Sequence, residues 1–353
     1  MKTLKYISLI LALLLFAVGS SYSQTHTLLF YNVENLYDTI DNPSVIDEDQ
    51  TPEGKRLWNS QKYWEKIDRI TEVYQRVAQA TGSFPILIGA AEIENIHVLR
   101  DLANSDRVAQ ARYQIVHYDS PDRRGVDVAF FYRPDVIEYV SSYPIPVRFP
   151  DNPTSLTRDI LWFTGKIDGQ IFHFFNNHWP SRWGGQRSSE PRRLRAASIL
   201  RHYVDSLKIA DPEAMIVIMG DFNDNPGDRS MTRTLRAKGT IKDLKEGELF
   251  NPFLPMHKDG HGTLGWNDVW SLFDMVIVSQ NMVGGEGRFQ IQPNPGLKPR
   301  GRNREPYYGF IFNRPFLMQR EGRFKGYPWR TYIADVYQGG YSDHFPVYIL
   351  ISK

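Results

Sequence analysis

The chain has no cysteine among its 353 residues. Disulfide stapling and lipid attachment through an N-terminal cysteine are thereby excluded, and stability has to come from a packed core. Long apolar runs are also scarce. The one that stands out, Ile7 to Val18, follows Lys2 and Lys5 and precedes the small-x-small triplet Ser21-Tyr22-Ser23. It falls well short of the roughly 20 residues that a bilayer span requires. Residues 1–23 are therefore expected to be a cleaved signal peptide, and the mature chain a secreted or periplasmic protein with no transmembrane anchor. An excess of charge of one sign is missing too. The 42 Lys and Arg stand against 40 Asp and Glu, and removing Lys2 and Lys5 leaves 40 against 40. Net charge thus excludes no class of partner, and only its distribution can point to one. No internal repeat, low-complexity tract or Pro/Ser linker marks a boundary. Residues 24–353 are read as a single domain, long enough to bury a large core.

What the sequence does have is a series of apolar runs that end in acids, amides or histidines. Ile216 to Met219 reads as a buried strand, after which Gly220 permits a turn or a close approach and Asp221 and Asn223 follow two residues apart. Asn225-Pro226-Gly227 stops further pairing, so the acid and amide stand at the rim of a sheet, where α/β proteins place their chemistry. Thr27 to Val33 alternates and leads to Asn32 and Glu34, which a period of two puts on the same face. Pro85 to Ala91 is another buried strand. Glu92 at its end is either a paired structural carboxylate or a metal ligand, and Asn95 suits the cap of a helix running toward Leu102.

Tyr63, Ile67, Ile70, Tyr74 and Val77 recur at helical spacing, as a cover for a sheet. Residues 190–208 form a second amphipathic helix, with Leu194, Ala197, Ile199, Leu200 and Val204 facing inward and its arginines readable as a solvated face. Strands at 157–163 and 170–175 are joined by the hairpin signal Asp168-Gly169. The second runs into Asn176-Asn177-His178-Trp179-Pro180-Ser181-Arg182, the chemistry of a functional loop. Asp274 sits near the start of one more apolar strand. Unpaired and buried it would cost several kcal/mol, so it needs a partner, and Asp343-His344 ahead of the last strand can supply one. Between these strands lies an insertion at about 281–340, with ten Lys/Arg, four Asp/Glu and eleven aromatics. That mixture suits a single-stranded nucleic acid or another polyanion, with Arg300, Arg302 and Arg304 on phosphates and Tyr307, Tyr308 or Trp329 stacking on bases. It equally suits an irregular subdomain with an aromatic core of its own.

The candidates are Asn32, Glu34, Glu92, His178, Asp221, Asn223, Asp274, Asp343 and His344. Hard oxygen ligands without cysteine favour Mg²⁺, with Mn²⁺ or Ca²⁺ as alternatives, over zinc. Two histidines, carboxylates to hold them, a cation and arginines suit hydrolysis of a phosphate ester by water.

On Tyr31-Asn32-Val33-Glu34-Asn35, Glu92, Asn177-His178, Gly220-Asp221-Phe222-Asn223 and Ser342-Asp343-His344-Phe345-Pro346-Val347, the chain resembles the endonuclease/exonuclease/phosphatase superfamily, most of all its secreted bacterial members. The resemblance implies an α/β four-layer sandwich: two packed mixed β-sheets flanked by helices, with the active site at one end. It implies Glu92 as the main metal ligand, with Asn32, Glu34 and Asp343 beside it. Asp221 and Asn223 match the pair that orients the attacking water, and Asp274 matches the acid paired with His344. His178 falls near the leaving oxygen, and Arg158, Asn177 and Arg182 match positions that hold a substrate phosphate. The expected function is a metal-dependent phosphodiesterase, most simply a monomeric nuclease acting on extracellular DNA or RNA. A sphingomyelinase-like lipid or small-molecule phosphodiesterase or phosphatase is the alternative, and a polyanion-binding module on an inactive nuclease fold is the non-enzymatic one.

Overall fold

The computed structural model describes residues 24–285, 288–301 and 304–353; the expected signal peptide and Arg302 lie outside them. Strand β1 (His26–Leu36) is buried over nearly its whole length. It pairs in parallel with β2 (Leu87–Ile93), beyond which β4 (Asp127–Tyr132) and β3 (Gln114–His117) continue the sheet antiparallel. On its other side β1 pairs antiparallel with the final strand, β10 (Val347–Ser352). Two short strands, Gln290–Ile291 and Phe310–Ile311, add to β10 and bring this sheet to seven.

The second sheet is also seven-stranded. The antiparallel β5 (Glu138–Ile145), β6 (Ile160–Ile167) and β7 (Gln170–His178) lead to β8 (Met215–Asp221), parallel to β7, and to β9 (Asp274–Ser279), antiparallel to β8. Leu249–Phe250 and Ala237–Lys238 complete its edge. Asp168 and Gly169 join β6 to β7 with φ of 49° and 77°, the left-handed pair that a tight two-residue hairpin requires.

Alternation along each strand builds two cores. Leu28 and Phe30 of β1, with Phe130 of β4, meet Phe163 and Phe174 of the second sheet, the rings 5.9 and 6.5 Å from that of Phe130. Leu29, Tyr31 and Val33 face the other way, onto helices α1 (Ser60–Thr81) and α2 (Ile96–Asn104). All five apolar residues expected to face inward on α1 are buried, each worth about 1.5–3 kcal/mol. The Asn95 side chain accepts the amides of His97 and Val98 and so caps α2. Helix α3 (Gln186–Ala210) covers the second sheet, with Tyr203 edge-on to Trp162 of β6. The layers are therefore helix, sheet, sheet, helix.

Two details depart from the sequence reading. Leu194 and Ile199 of α3 are half-buried, whereas Arg193 and Arg201 are buried, so its arginines are not merely a solvated face. Arg193 places its Nε 2.7 Å from Asp224. The basic aromatic segment does not form a core of its own. It extends the edge of the first sheet, stacks Phe310 on Tyr348 at 4.6 Å and joins the cores already described. Tyr307 is only 1% exposed, its hydroxyl turned to Asp259, and cannot serve as a stacking platform.

Candidate active site

The pairing directions decide where the functional side chains meet. The unbroken parallel pairing of β1 and β2 ends at Asn32 opposite Ala91, just before Glu92, and the parallel strands β7 and β8 end at His178 and Asp221. Strand β9 runs the other way and begins at Asp274, directly across from Asp221. Strand β10 begins just after His344, with Val347 opposite Phe30. Four strand ends and two strand starts thus converge at one end of the sandwich. Gly220 is needed there because a Cβ would come within 2.3 Å of the Asn177 carbonyl oxygen, so only glycine lets β8 approach β7 this closely.

Asn32 ties the two sheets together across this end. Its amide donates to Asp221 Oδ2 at 3.0 Å and to Glu92 Oε1 at 3.3 Å, and its Oδ1 accepts the Glu34 amide at 3.0 Å. Glu92 Oε2 accepts the Asn35 amide at 2.9 Å. Four residues here, Glu34, Asn35, Glu92 and Asn223, hold left-handed backbone with φ of 55°, 51°, 65° and 51°. Non-glycine residues held in this region cost about 1–3 kcal/mol each and persist where their surroundings fix them. The consequence at Glu34 is a correction. Strand parity puts it on the face of Asn32, but the register shifts between Asn32 and Leu36. Glu34 turns instead to the Thr331 amide at 2.6 Å, with Arg330 Nε at 3.6 Å. The buried Lys66 holds that last loop from the side of α1, donating to the Tyr341 carbonyl at 2.6 Å and to the Thr331 hydroxyl.

The two histidines are driven in opposite directions. His178 Nε2 lies 3.7 Å from both Glu92 Oε1 and Asp221 Oδ2. Burial, helped by Arg158, Arg124 and His344, pushes its pKa well below the ordinary value, so the ring is neutral. His344 Nδ1 stands 2.7 Å from Asp274 Oδ2, which also accepts the Thr263 hydroxyl. Its Nε2 is 3.8 Å from Asp221 and 3.8 Å from Asp343. Burial opposes its charge, but Asp274, Asp343 and Asp221 outweigh burial and hold its pKa well above 6.5. Asp221 is pushed up to about 7 by burial, against the pull of the His344 charge. Its Oδ1 accepts the Asn223 amide at 2.9 Å, and the Asn223 side chain donates to the Trp179 carbonyl at 3.0 Å. Asp343 accepts from Arg330 at 2.6 Å.

The three residues expected on a substrate phosphate are engaged elsewhere. Arg158 is buried, paired to Asp122 at 2.9 Å and bonded to the carbonyls of His178 and Trp179. It fixes the loop that carries His178. The Asn177 amide is fully buried against the Met219 carbonyl, at 3.1 Å. Arg182 spans the Asn223 carbonyl, Asp224 and Asp228, with its guanidinium over Phe273. A residue that the sequence reading passed over is better placed. Arg124 is 44% exposed and reaches Asn35, the neighbour of Glu34 whose amide binds Glu92. Its only local signal is its place in the Arg123-Arg124-Gly125 turn before β4. Arg330 was equally hidden inside the basic segment.

A family profile for the Endonuclease/Exonuclease/phosphatase family matches residues 27–353. The chain belongs to that family. The enzymes of the endonuclease/exonuclease/phosphatase family are phosphoric ester hydrolases, mostly metal-dependent, and this chain is one of those hydrolases. No curated protein matches its sequence. Among solved structures, TDP2 of D. rerio in complex with a single-strand DNA product superposes with a TM-score of 0.54 at 14% identity, over 94% of this chain and 100% of that one. A mannosyl-6-phosphatase of Bacteroides thetaiotaomicron gives 0.54 at 16%, over 92% and 99%. A further endonuclease/exonuclease/phosphatase family protein of that organism gives 0.53 at 18%, over 94% and 98%. At these identities the likeness is one of fold.

The family's divalent metal fits this site. Glu92 forms no ion pair with lysine or arginine among the described residues; the partners near it are the neutral His178 ring and the amides of Asn32 and Asn35. Oxygen donors left short of fixed positive charge are the chemistry a hard cation requires. Glu92 and Asn32, 3.3 Å apart, would hold it, with Asp343 Oδ1 3.8 Å from the His344 ring.

Proposed function

We propose that the chain is an exported, divalent-metal-dependent phosphodiesterase that hydrolyses nucleic acid by in-line attack of water. The observation that carries this reading is the convergence of two buried histidines on one buried carboxylate, with His178 Nε2 and His344 Nε2 at 3.7 and 3.8 Å from Asp221 Oδ2. With a pKa near 7, Asp221 can take a proton from water at neutral pH, and the Asn223 amide on its Oδ1 fixes its orientation. The His344 imidazolium, anchored by Asp274, supplies a preorganised positive charge for the phosphoryl oxygens, with no reorganisation at the moment of reaction. Neutral His178 offers a ring N–H as a hydrogen-bond donor beside them. When bound, the cation adds Lewis-acid stabilisation of the phosphoryl group and a lowered pKa for water.

Support for a nucleic acid comes from the rim. Arg320, Arg323 and Lys325 are exposed and lie within four residues of the exposed Phe324 in sequence, with the Arg323 guanidinium 5.8 Å from its ring, a basic stretch with an aromatic face. Two other arginines of the segment are occupied: Arg288 pairs with Glu213 and Arg304 with Asp259. The test is cleavage of single-stranded DNA and RNA oligonucleotides across a salt series, for the native chain and for Arg320, Arg323 and Lys325 replaced together by alanine. Each phosphate contact contributes a slope of about 0.7 in log affinity against log salt, so the variant should lose about two units of slope. Turnover of a sugar phosphate or phosphocholine ester without any oligonucleotide cleavage would contradict the reading.

A further inference from the structure

Beside Asp343 lies a cavity of about 420 Å³ that the hydrolytic residues leave unused. Its size is that of a small-molecule site. One wall is a hairpin, Leu264–Trp266 paired to Val269–Ser271, turned by Asn267 and Asp268 with φ of 47° and 61°. Two consecutive left-handed residues make the tight turn that fixes a hairpin's register. The other wall is the segment 319–334 of the basic insertion. Tyr327 joins the walls: its hydroxyl accepts the Asp268 amide at 2.8 Å and donates to Asp268 Oδ1 at 2.9 Å. Its ring lies so close over Gly265 that a Cβ there would come within 2.8 Å of it. The cavity is therefore bounded by a braced hairpin rather than by loose loops.

The lining is specific in kind. Trp266 stands at the rim, 68% exposed and without an aromatic partner among the described residues, and Phe324 is 40% exposed across from it. A single exposed aromatic needs no explanation, but two flanking one cavity form a patch that calls for an occupant. Asn267 and Gln319 add amide donors and acceptors. Arg330 lines the same cavity and reaches Asp343 at 2.6 Å. A smaller cavity of about 200 Å³ shares Arg330, Ala334 and Asp343 with it and continues to Glu34 and Asn35. The aromatic cavity thus opens onto the side of the catalytic end where Glu34 and Asp343 stand.

Flat apolar faces for stacking, amides for a polar edge and an arginine that leads back to a phosphate-hydrolysing site describe the recognition of a nucleobase. An acyl chain has no use for the amides, and inorganic phosphate has none for two aromatic faces. We propose that this cavity is a nucleobase subsite, taking the base of the nucleotide next to the phosphate under hydrolysis. The proposal rests on the nucleic-acid reading above and names the part of the chain that recognises the substrate.

The experiment compares two oligonucleotides that differ only in whether the nucleotides flanking the cleaved phosphate carry bases or are abasic. Stacking one base on an aromatic side chain is worth about 1–3 kcal/mol, so the native chain should favour the base-bearing substrate by roughly 5- to 140-fold in kcat/KM. That ratio should collapse toward one in Trp266→Ala, and independently in Phe324→Ala. A native ratio near one, or an unchanged ratio in both variants, overturns the proposal. If the native chain cleaves no oligonucleotide, the nucleic-acid reading fails first, and the subsite is decided by calorimetry in EDTA. Adenosine monophosphate binding more tightly than ribose 5-phosphate to the native chain, but not to Trp266→Ala, upholds a base site. Equal binding of the two ligands removes it.

Discussion

Asp274 Oδ2 lies 2.7 Å from His344 Nδ1, and the other nitrogen of the same ring faces Asp221 and Asp343, each at 3.8 Å. The carboxylate that orients the ring is thus separate from the carboxylates that the ring's charge serves. An aspartate of this kind loses most of its purpose once the histidine is gone. His344→Ala should lower kcat by a factor on the order of 10²–10⁴, the usual worth of a positioned proton-bearing group. Asp274→Asn/His344→Ala should be little worse than His344→Ala alone. Losses that multiply in the double variant would show that the two act independently.

Arg124 and Arg158 should separate cleanly. Arg158 is a buried partner of Asp122 and holds the backbone at His178 and Trp179. Breaking a buried pair on one side costs about 3–5 kcal/mol, so Arg158→Ala should show a large loss of thermal stability. Arg124 is exposed, and Arg124→Ala should leave the melting temperature nearly unchanged. Its effect should fall on KM for a phosphodiester, by roughly 10- to 100-fold, the worth of one charge-assisted hydrogen bond. A stability loss for Arg124→Ala equal to that of Arg158→Ala would contradict this division.

Much of this site could be read from the chain itself, and what escaped did so for identifiable reasons. A strand that ends in an acid, a glycine that permits close approach and an amide at a helix start are local patterns, and Asp221, Gly220 and Asn95 carry them openly. The pairing of Asp274 with His344 followed from the cost of a lone buried acid. Backbone φ is not written in such patterns. Glu34 leaves the face of Asn32 only because its own residue turns left-handed. Arg158 meets Asp122 across 36 positions, a distance over which spacing says nothing. Register decides the neighbours Asn176 and Asn177 in the same way. Asn176 crosses to the carbonyls of Ala90 and Ala129 in the opposite sheet, at 2.9 and 2.8 Å, whereas Asn177 turns back to its own.

His173 gives a pH dependence that is independent of catalysis. Its Nδ1 accepts from Trp162 Nε1 at 3.3 Å and lies 3.1 Å from the Thr164 hydroxyl, and burial lowers its pKa to about 4. Below about 6.5 the unfolded chain takes up a proton here that the folded chain refuses until about pH 4. The unfolded state therefore binds more protons in this window, and this contribution to stability is lost as pH falls through it. His173→Gln keeps an acceptor and removes the titration. The difference in melting temperature between native chain and variant should narrow from pH 7 to pH 4.5. A difference that stays constant would mean that His173 protonates alike in both states.

In the proposed reaction, Glu92 recruits the divalent ion on which phosphodiester hydrolysis depends. The measurement is initial rate against free Mg²⁺, after chelation, for the native chain and for Glu92→Gln with the fold checked by circular dichroism. A residue that merely supports a ligand costs roughly 10- to 100-fold in metal affinity when replaced, and a ligand should cost more. The native chain should be inactive in EDTA and recover with added Mg²⁺. Glu92→Gln should remain folded and need at least 100-fold more Mg²⁺ to reach half its own maximum, a prediction scaled from that same range. Full native activity in EDTA, or an unshifted Mg²⁺ curve in Glu92→Gln, would contradict the account.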